Sequence, residues 1–393
     1  MTILQQLALL CKGEEGRIPG SRGGFSLVDG EYVFIRNMRW RLFSARGEVF
    51  SMYFYCEKCK KQYPLNTHAI RCSCGGLFRL HKDAEDQVPQ TVHIGHRVTP
   101  LVPMRAGNID VLLKLENLQP TGSYKDRGAA ALVNVAASLG IERIALDSAG
   151  YAGASVAAYA AAAGMACKVF VPEGVPASVV QQLTMYGAEV VCVAGTRMDA
   201  CAEVKRHLGS SWYYASPAYN PLFAEGVKSL AHELYEQLGG AVPEYIFVPA
   251  GNGSLLLGLY LGFMEVGRLP HLVAVQSDGC APLYRAFEEA KGVADDAAAA
   301  AEAPASLFDD PNFSIERPKR LKEMLFAVES SGGAVVTVTE AELREAQRAL
   351  GHRGVYAELS AAAGLAAARK FFPHGKPDNY RVVVPVTGSG FKR

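Results

Sequence analysis

From about Asp83 onward the chain alternates short β-type runs with helical stretches, and this alternation restricts its fold more than any other feature. Arg143–Leu146, Cys167–Val171, Glu189–Val193, Tyr245–Val248, Leu272–Val275 and Arg381–Pro385 are apolar runs of strand length, and helical stretches fill the gaps. The pattern predicts an α/β fold with a largely parallel sheet. A chain of 393 residues has a prior of two or three domains, and 49% hydrophobic against 20% charged residues leaves ample material for a core. The formal net charge of +1 gives no electrostatic reason to expect nucleic acid or a membrane as partner. Ser254–Met264 and Gly153–Ala166, the longest apolar candidates, are interrupted or too short to span a bilayer. The opening MTILQQLALLCKGEEG lacks a basic leader and a small-residue cleavage site, so no secretory signal is expected. Nine cysteines, four of them clustered with metal-like spacing, fit a reducing compartment, with the cytoplasm as the default.

Residues 1–51 show weak periodicity and scattered glycines and basic residues, and read as an N-terminal extension of open status. Met52, four residues ahead of the first clustered cysteine, is a candidate translation start; the other reading is a true extension that packs on the body or mediates assembly. In residues 52–82, Cys56 and Cys59 form a C-x2-C knuckle, and Cys72 and Cys74 follow as C-x-C with two glycines that permit a tight turn. Four thiolates from two turns suit a tetrahedral zinc ion, which would be structural because all its positions are filled. The second pair is one residue tighter than the commonest ribbon spacing, and four reduced thiols without metal are the alternative. Lys58, Lys60 and Lys61 form only a small basic cluster, which reads as a solvated face and not as a nucleic-acid site.

Chemistry is expected around Pro120–Gly128, PTGSYKDRG. Leu112–Glu116 reads as a strand arriving at a turn marked by Pro120 and Gly122, after which a helix should begin. Ser123 and Asp126 have capping-box spacing, so Lys125 falls in the first helical turn, where the helix dipole disfavours an ammonium. A neutral amine there suits imine formation with an aldehyde cofactor. Taken alone, the segment reads equally well as a capped surface helix with a solvated lysine. Asp147–Ser155, DSAGYAGAS, offers N–H groups and hydroxyls at a helix start, apt for a carboxylate, or is a capped turn. Ser216–Gly239 contains Tyr219, Asn220 and Glu225, which are either turn and capping residues or groups within reach of a cleft. In Pro249–Gly258, PAGNGSLLLG, Gly251 and Gly253 permit close approach of a phosphate, although a glycine pair after a strand is most often just a turn. The last segment, Val382–Lys392, is a buried-type strand that stops at a hydroxyl and two glycines.

PTGSYKDRG resembles the cofactor-lysine motif of threonine synthase and its relatives among the fold-type-II pyridoxal-phosphate enzymes. Three further segments of that family follow in order, so the resemblance covers roughly Cys56 to the C-terminus. It implies a catalytic domain over 83–393 built of two parallel-sheet α/β subdomains, the smaller, roughly 135–230, inserted in the larger, with a small zinc ribbon at 52–82 ahead of them. It implies that Lys125 carries pyridoxal 5'-phosphate and serves as the catalytic base, and that Gly251, Asn252, Gly253 and Ser254 hold the cofactor phosphate. Thr387 aligns with the residue that hydrogen-bonds the pyridine nitrogen, and Ser123, Ser148, Ala149 and Gly150 with those that receive the substrate. Glu358 and Ser360 resemble the family's E-P-[ST] helix start, with Leu359 replacing the proline. The sequence departs at Tyr151, which stands where the family has an asparagine against the cofactor's ring oxygen, and at Ala149, which stands at the family's second serine. The implied reaction converts O-phosphohomoserine and water to threonine and phosphate. The alternatives are β-elimination or β-replacement on serine, threonine or an O-activated serine, as in a dehydratase or cysteate synthase, and a non-catalytic protein that keeps the fold. An amino-acid substrate and a homodimer are also implied.

Overall fold

In the computed structural model, residues 52–392 are described except 84, 210, 293–312 and 314, and of residues 1–51 only the backbone of four short strands. The expected N-terminal extension and most of the alanine-rich segment Lys291–Pro311 thus lie outside the described residues. Among the described residues no helix is long and apolar enough to cross a membrane.

The cysteine segment is a three-stranded antiparallel ribbon of β1 (Tyr53–Cys56), β2 (Gln62–Tyr63) and β3 (Phe78–His81), in the order β2-β1-β3. An antiparallel hairpin follows, β4 (Leu101–Ala106) with β5 (Ile109–Lys114). Pro103 is tolerated in β4 because that strand is the sheet edge. Then come helix α1 (Lys125–Ser138) and a parallel four-stranded sheet: β6 (Arg143–Asp147), β7 (Ala166–Pro172), β8 (Glu189–Val193) and β9 (Tyr213–Tyr214), in the order β8-β7-β6-β9. Helices α2 (Tyr151–Ala162), α3 (Ala177–Met185) and α4 (Arg197–His207) connect these strands. After α5 (Pro221–Val227) and α6 (Ser229–Gln237) the chain returns to the first hairpin. It adds β10 (Tyr245–Pro249), β11 (His271–Ser277), β12 (Ala334–Val338) and β13 (Val382–Pro385), giving the order β12-β11-β10-β13-β5-β4. Helices α7 (Ser254–Val266), α8 (Pro282–Ala290), α9 (Leu321–Ser330), α10 (Glu340–Gly351) and α11 (Ala363–Phe371) make the crossovers.

The register of this second sheet positions the site. β10, β13 and β5 are adjacent and mutually parallel, with Ile246 opposite Val383 and Val383 opposite Leu112. Their C-terminal ends therefore emerge side by side. They lead into the glycine loop, the C-terminal segment and the PTGSYKDRG motif respectively. All four residues of β13 are buried, as a strand covered on both faces requires.

Two buried charge clusters tie the layers together. Arg127, on α1, donates to both oxygens of Glu116 and both of Glu233, and the Lys114 ammonium donates to Glu233 Oε2 at 2.7 Å and to Thr99 O at 2.8 Å. Two cations face two carboxylates, so the charge is balanced away from water. Arg320, at the start of α9, donates to Phe78 O of the ribbon, to Ala218 O and Tyr219 O, and to both oxygens of Glu323.

Candidate active site

The three segments delivered by β5, β10 and β13 close around one cleft of about 510 Å³, counted out to solvent. Its walls include Ser123, Tyr124 and Lys125, then Gly251 to Leu255, and Thr387. Tyr151, Glu358, Ser360 and Phe313 complete it. The few polar groups that converge there suit a small polar ligand.

Lys125 is the first residue of α1, and its Nζ donates to Ser254 Oγ at 3.0 Å. The Tyr124 hydroxyl lies 3.1 Å from the same Ser254 oxygen, and the Tyr124 ring centroid is 4.6 Å from the lysine nitrogen. The expected capping box is absent. Tyr124 has helical torsions (φ −56°, ψ −17°), so the Ser123 side chain does not reach the first free N–H groups. Asp126 instead accepts from Thr121 N at 2.7 Å and Thr121 Oγ1 at 2.5 Å, bracing the turn that precedes the helix. Burial pushes the Asp126 carboxyl above its ordinary value, against these two hydrogen bonds. Ser123 Oγ is buried at the cleft and has no hydrogen-bond partner among the described residues.

The glycine loop runs from β10 into α7. Gly253 has φ +89° and directly precedes the helix, and a Cβ there would lie 2.5 Å from Met324 Sδ, so both its torsion and its packing require glycine. The first-turn N–H groups of α7 have no partner within the helix and open on the cleft, a ready anion site. At the end of β13, Gly388 makes a second close approach: a Cβ would meet Glu358 Oε1 at 2.3 Å and Tyr151 Cζ at 3.1 Å. The backbone pairing of Ser123 with Gly388 fastens this segment to the lysine motif.

Of the DSAGYAGAS segment, Tyr151 lines the cleft, whereas Ser148, Ala149 and Gly150 are not among its lining residues. The Ser148 hydroxyl is turned onto its own chain, accepting from Gly153 N at 2.9 Å and Gly150 N at 3.3 Å. Tyr151 is buried, and its hydroxyl donates to Ser389 O at 2.8 Å. Tyr219, Asn220 and Glu225 lie away from the cleft. Asn220 caps α5 through Leu222 N, the Tyr219 hydroxyl accepts from Lys205, and Glu225 pairs with Lys82 and Lys228. The sequence reading passed over Tyr124, although it sits inside the motif, and Phe313, which nothing in its neighbourhood marks.

In the ribbon the four sulfurs of Cys56, Cys59, Cys72 and Cys74 lie within 4.8 Å of one another, with contacts as short as 3.4 Å. A zinc ion with bonds of about 2.3 Å sets sulfur–sulfur edges of about 3.8 Å, inside that span. The Tyr63 hydroxyl donates to Cys72 Sγ at 3.2 Å and draws that thiol down to about 6, toward the thiolate that a metal needs.

An amine at a helix start, a glycine loop opening a second helix and an unpartnered hydroxyl together fit an aldehyde cofactor that carries a phosphate. Comparison with known proteins agrees. Residues 92–388 match the family described as "Pyridoxal-phosphate dependent enzyme", and the chain belongs to that family. Within it the chain is a threonine-synthase-like enzyme of the lyase type. It is 31% identical to threonine synthase of Methanocaldococcus jannaschii, covering 86% of this chain and 92% of that one. It is 32% identical to threonine synthase of Methanosarcina acetivorans, over 87% and 88%. The fold is also that of a Rhizomucor miehei L-serine ammonia-lyase (TM-score 0.63, 22% identity, 75% of this chain and 94% of that one). Maize serine racemase is similar to the same extent (TM-score 0.62, 20% identity, 75% and 88%).

Proposed function

We propose that this enzyme is a threonine synthase, releasing phosphate from O-phosphohomoserine and adding water to give threonine. The observation that carries the reading is the convergence of Lys125, the Gly251–Ser254 loop and Thr387 on one cleft, in a chain about 30% identical to threonine synthases over most of its length. Pyridoxal phosphate, when bound, supplies the electron sink for a carbanion at the α-carbon of the amino acid. The chain's residues hold and aim the reactants. Lys125 Nζ would hold the cofactor aldehyde and, once displaced by the substrate amine, take the α-proton. Ser254 Oγ, which accepts from Lys125, orients that amine. The amides of Gly251 to Ser254 would hold the cofactor phosphate, and the Thr387 hydroxyl would meet the ring nitrogen. A hydroxyl does not hold that nitrogen protonated as a carboxylate would. Ser123, with its unpartnered hydroxyl, is the substrate contact this cleft favours, and Ser148, Ala149 and Gly150 would take part only after the loop reorganises.

Tyr151 favours a second reading, β-elimination or β-replacement on serine, threonine or an O-activated serine. At the position that the resemblance gives to an asparagine, Tyr151 lines the cleft with its hydroxyl committed to Ser389 O. Product analysis of the purified holoenzyme separates the two. Threonine and phosphate in equal amounts from O-phosphohomoserine support the first. A keto acid or a β-substituted alanine, with no phosphate released from O-phosphohomoserine, supports the second. Cofactor bound at Lys125 without any turnover would leave a non-catalytic relative.

The ribbon is proposed to hold one structural zinc ion on Cys56, Cys59, Cys72 and Cys74. Metal analysis of protein purified without chelator should give one equivalent of zinc per chain. Cys72→Ser should lower it at least tenfold, whereas less than 0.1 equivalent in the wild type would mean a ribbon of free thiols (thresholds about tenfold, as for loss of a ligand).

A further inference from the structure

The C-terminal residues Gly390–Lys392 form a short 3₁₀ turn that carries a second lysine into the region behind the cleft. The Lys392 ammonium nitrogen is buried and has no hydrogen-bond partner among the described residues. It sits 4.2 Å from the centroid of the Tyr151 ring. Its methylenes pass Gly122, whose missing Cβ would lie 3.5 Å from Lys392 Cε. The segment is pinned from both sides: Ser389 N donates to Gly122 O, Ala357 pairs with Ser389, and Tyr151 Oη donates to Ser389 O. Tyr151 therefore has its hydroxyl on the C-terminal segment and a ring face against the Lys392 cation, and it lines the cleft.

We propose that Lys392 is a positioning residue of this cleft: its buried ammonium, seated on the Tyr151 ring, keeps that ring in the cleft wall, and loss of the charge frees the ring. The inference rests on the cleft being a pyridoxal-phosphate site. A cation on an aromatic face in a site shielded from water is worth more than the same pair in solvent, and this ammonium, without a hydrogen-bond partner among the described residues, is held by that face and by the carboxylates around it. The other charged groups near it are Asp126 from α1 and Glu358 from the segment ahead of α11. Burial draws the Lys392 pKa down to about 8, with Asp126 and Glu358 opposing the fall. The folded-state value is thus below the ordinary 10.5, so the cation is present on the ring below about pH 8 and is lost as pH rises through it.

The test compares wild type, Lys392→Met and Lys392→Arg by pyridoxal-phosphate dissociation constant and by the visible absorbance of the bound cofactor across that range. The wild type is expected to weaken about fivefold with a midpoint near pH 8, with a parallel change in the absorbance band. Lys392→Met should show the weaker value at every pH with no such midpoint. Lys392→Arg, charged throughout, should keep the tight low-pH behaviour to about pH 10. If Lys392→Met does not fold, Tyr151→Leu gives the same test, since it removes the ring and should flatten the profile with the lysine in place. The same profile in wild type and variants overturns the inference. Borohydride reduction of the wild type tests the cofactor reading separately: a label on Lys125 with unaltered profiles overturns the inference alone, and no label overturns both.

Discussion

Lys125→Ala should lower turnover by at least about 10⁴-fold, because it removes both the amine that holds the cofactor and the group that takes the α-proton. The same substitution should abolish pyridoxyl labelling after borohydride reduction, while wild-type protein yields one labelled peptide containing Lys125. The fold should survive, since the side chain is only half-buried and its recorded hydrogen bond goes to a hydroxyl on a loop that glycine packing already fixes. Far-ultraviolet circular dichroism within error of wild type would establish that. Labelling at another lysine, or turnover within tenfold of wild type, would remove Lys125 from its assigned role.

Arg127→Met, two residues further along the same helix, should leave chemistry aside and cost about 3–5 kcal/mol of stability. The Arg127 side chain is 5% exposed and Glu116 is wholly buried, so deleting the guanidinium strands a carboxylate beneath α1. Urea unfolding should show the midpoint falling at unchanged slope. Replacing Glu116 by Leu in the same protein should recover part of the loss, because a stranded charge costs more than an apolar pair. A midpoint shift worth less than about 1 kcal/mol would show that the cluster is solvated and contributes no more than a surface pair. Glu233 adds a pH signature. Burial works against its charge, yet Arg127 and Lys114 outweigh that and hold its carboxyl below the ordinary 4.5. Its contribution is present above that pH and is lost as acid takes the solution down through the lower folded-state value.

The contrast between three similar sequence patterns shows where local reading worked and where it stopped. Thr196-x-x-Asp199 and Thr339-x-x-Glu342 form true capping boxes, because the threonine backbone is extended (φ −90° and −79°) and its hydroxyl faces the helix. Ser123-x-x-Asp126 has the same spacing and no box, because Gly122 turns the chain (φ +81°) and Tyr124 already has helical torsions. Spacing alone carries no information on that turn. Strands were legible where short apolar runs contain several β-branched or aromatic residues: Glu189–Val193 is found residue for residue, Tyr245–Val248 gains Pro249, and Leu272–Val275 becomes His271–Ser277. Leu112–Glu116 is displaced to Ile109–Lys114, since Glu116 leaves the ladder to meet Arg127, a partner eleven positions away that local pattern does not reveal.

The lysine and the glycine loop were legible because each has a local cause, a helix start and a close backbone approach. Thr387 joined them only through family likeness, and it is the adjacency of β5, β13 and β10 that brings all three together. Ser148 shows what local pattern leaves open: a hydroxyl at a helix start can serve a ligand or its own N–H groups, and here it accepts from Gly153 N. Lys392 left no trace in the sequence, because its burial comes from Tyr151 and Gly122, both far away along the chain.

The guanidinium of Arg320 also bears on how this architecture can be trimmed. It is shared between the last ribbon strand, two carbonyls of the turn before α5 and the carboxylate of Glu323, and it lies almost out of reach of water. Shortening the chain to begin after the ribbon would strip one acceptor, Phe78 O, from that ion. A minimal catalytic version of this chain, begun after the ribbon, would therefore have to exchange Arg320 and Glu323 together.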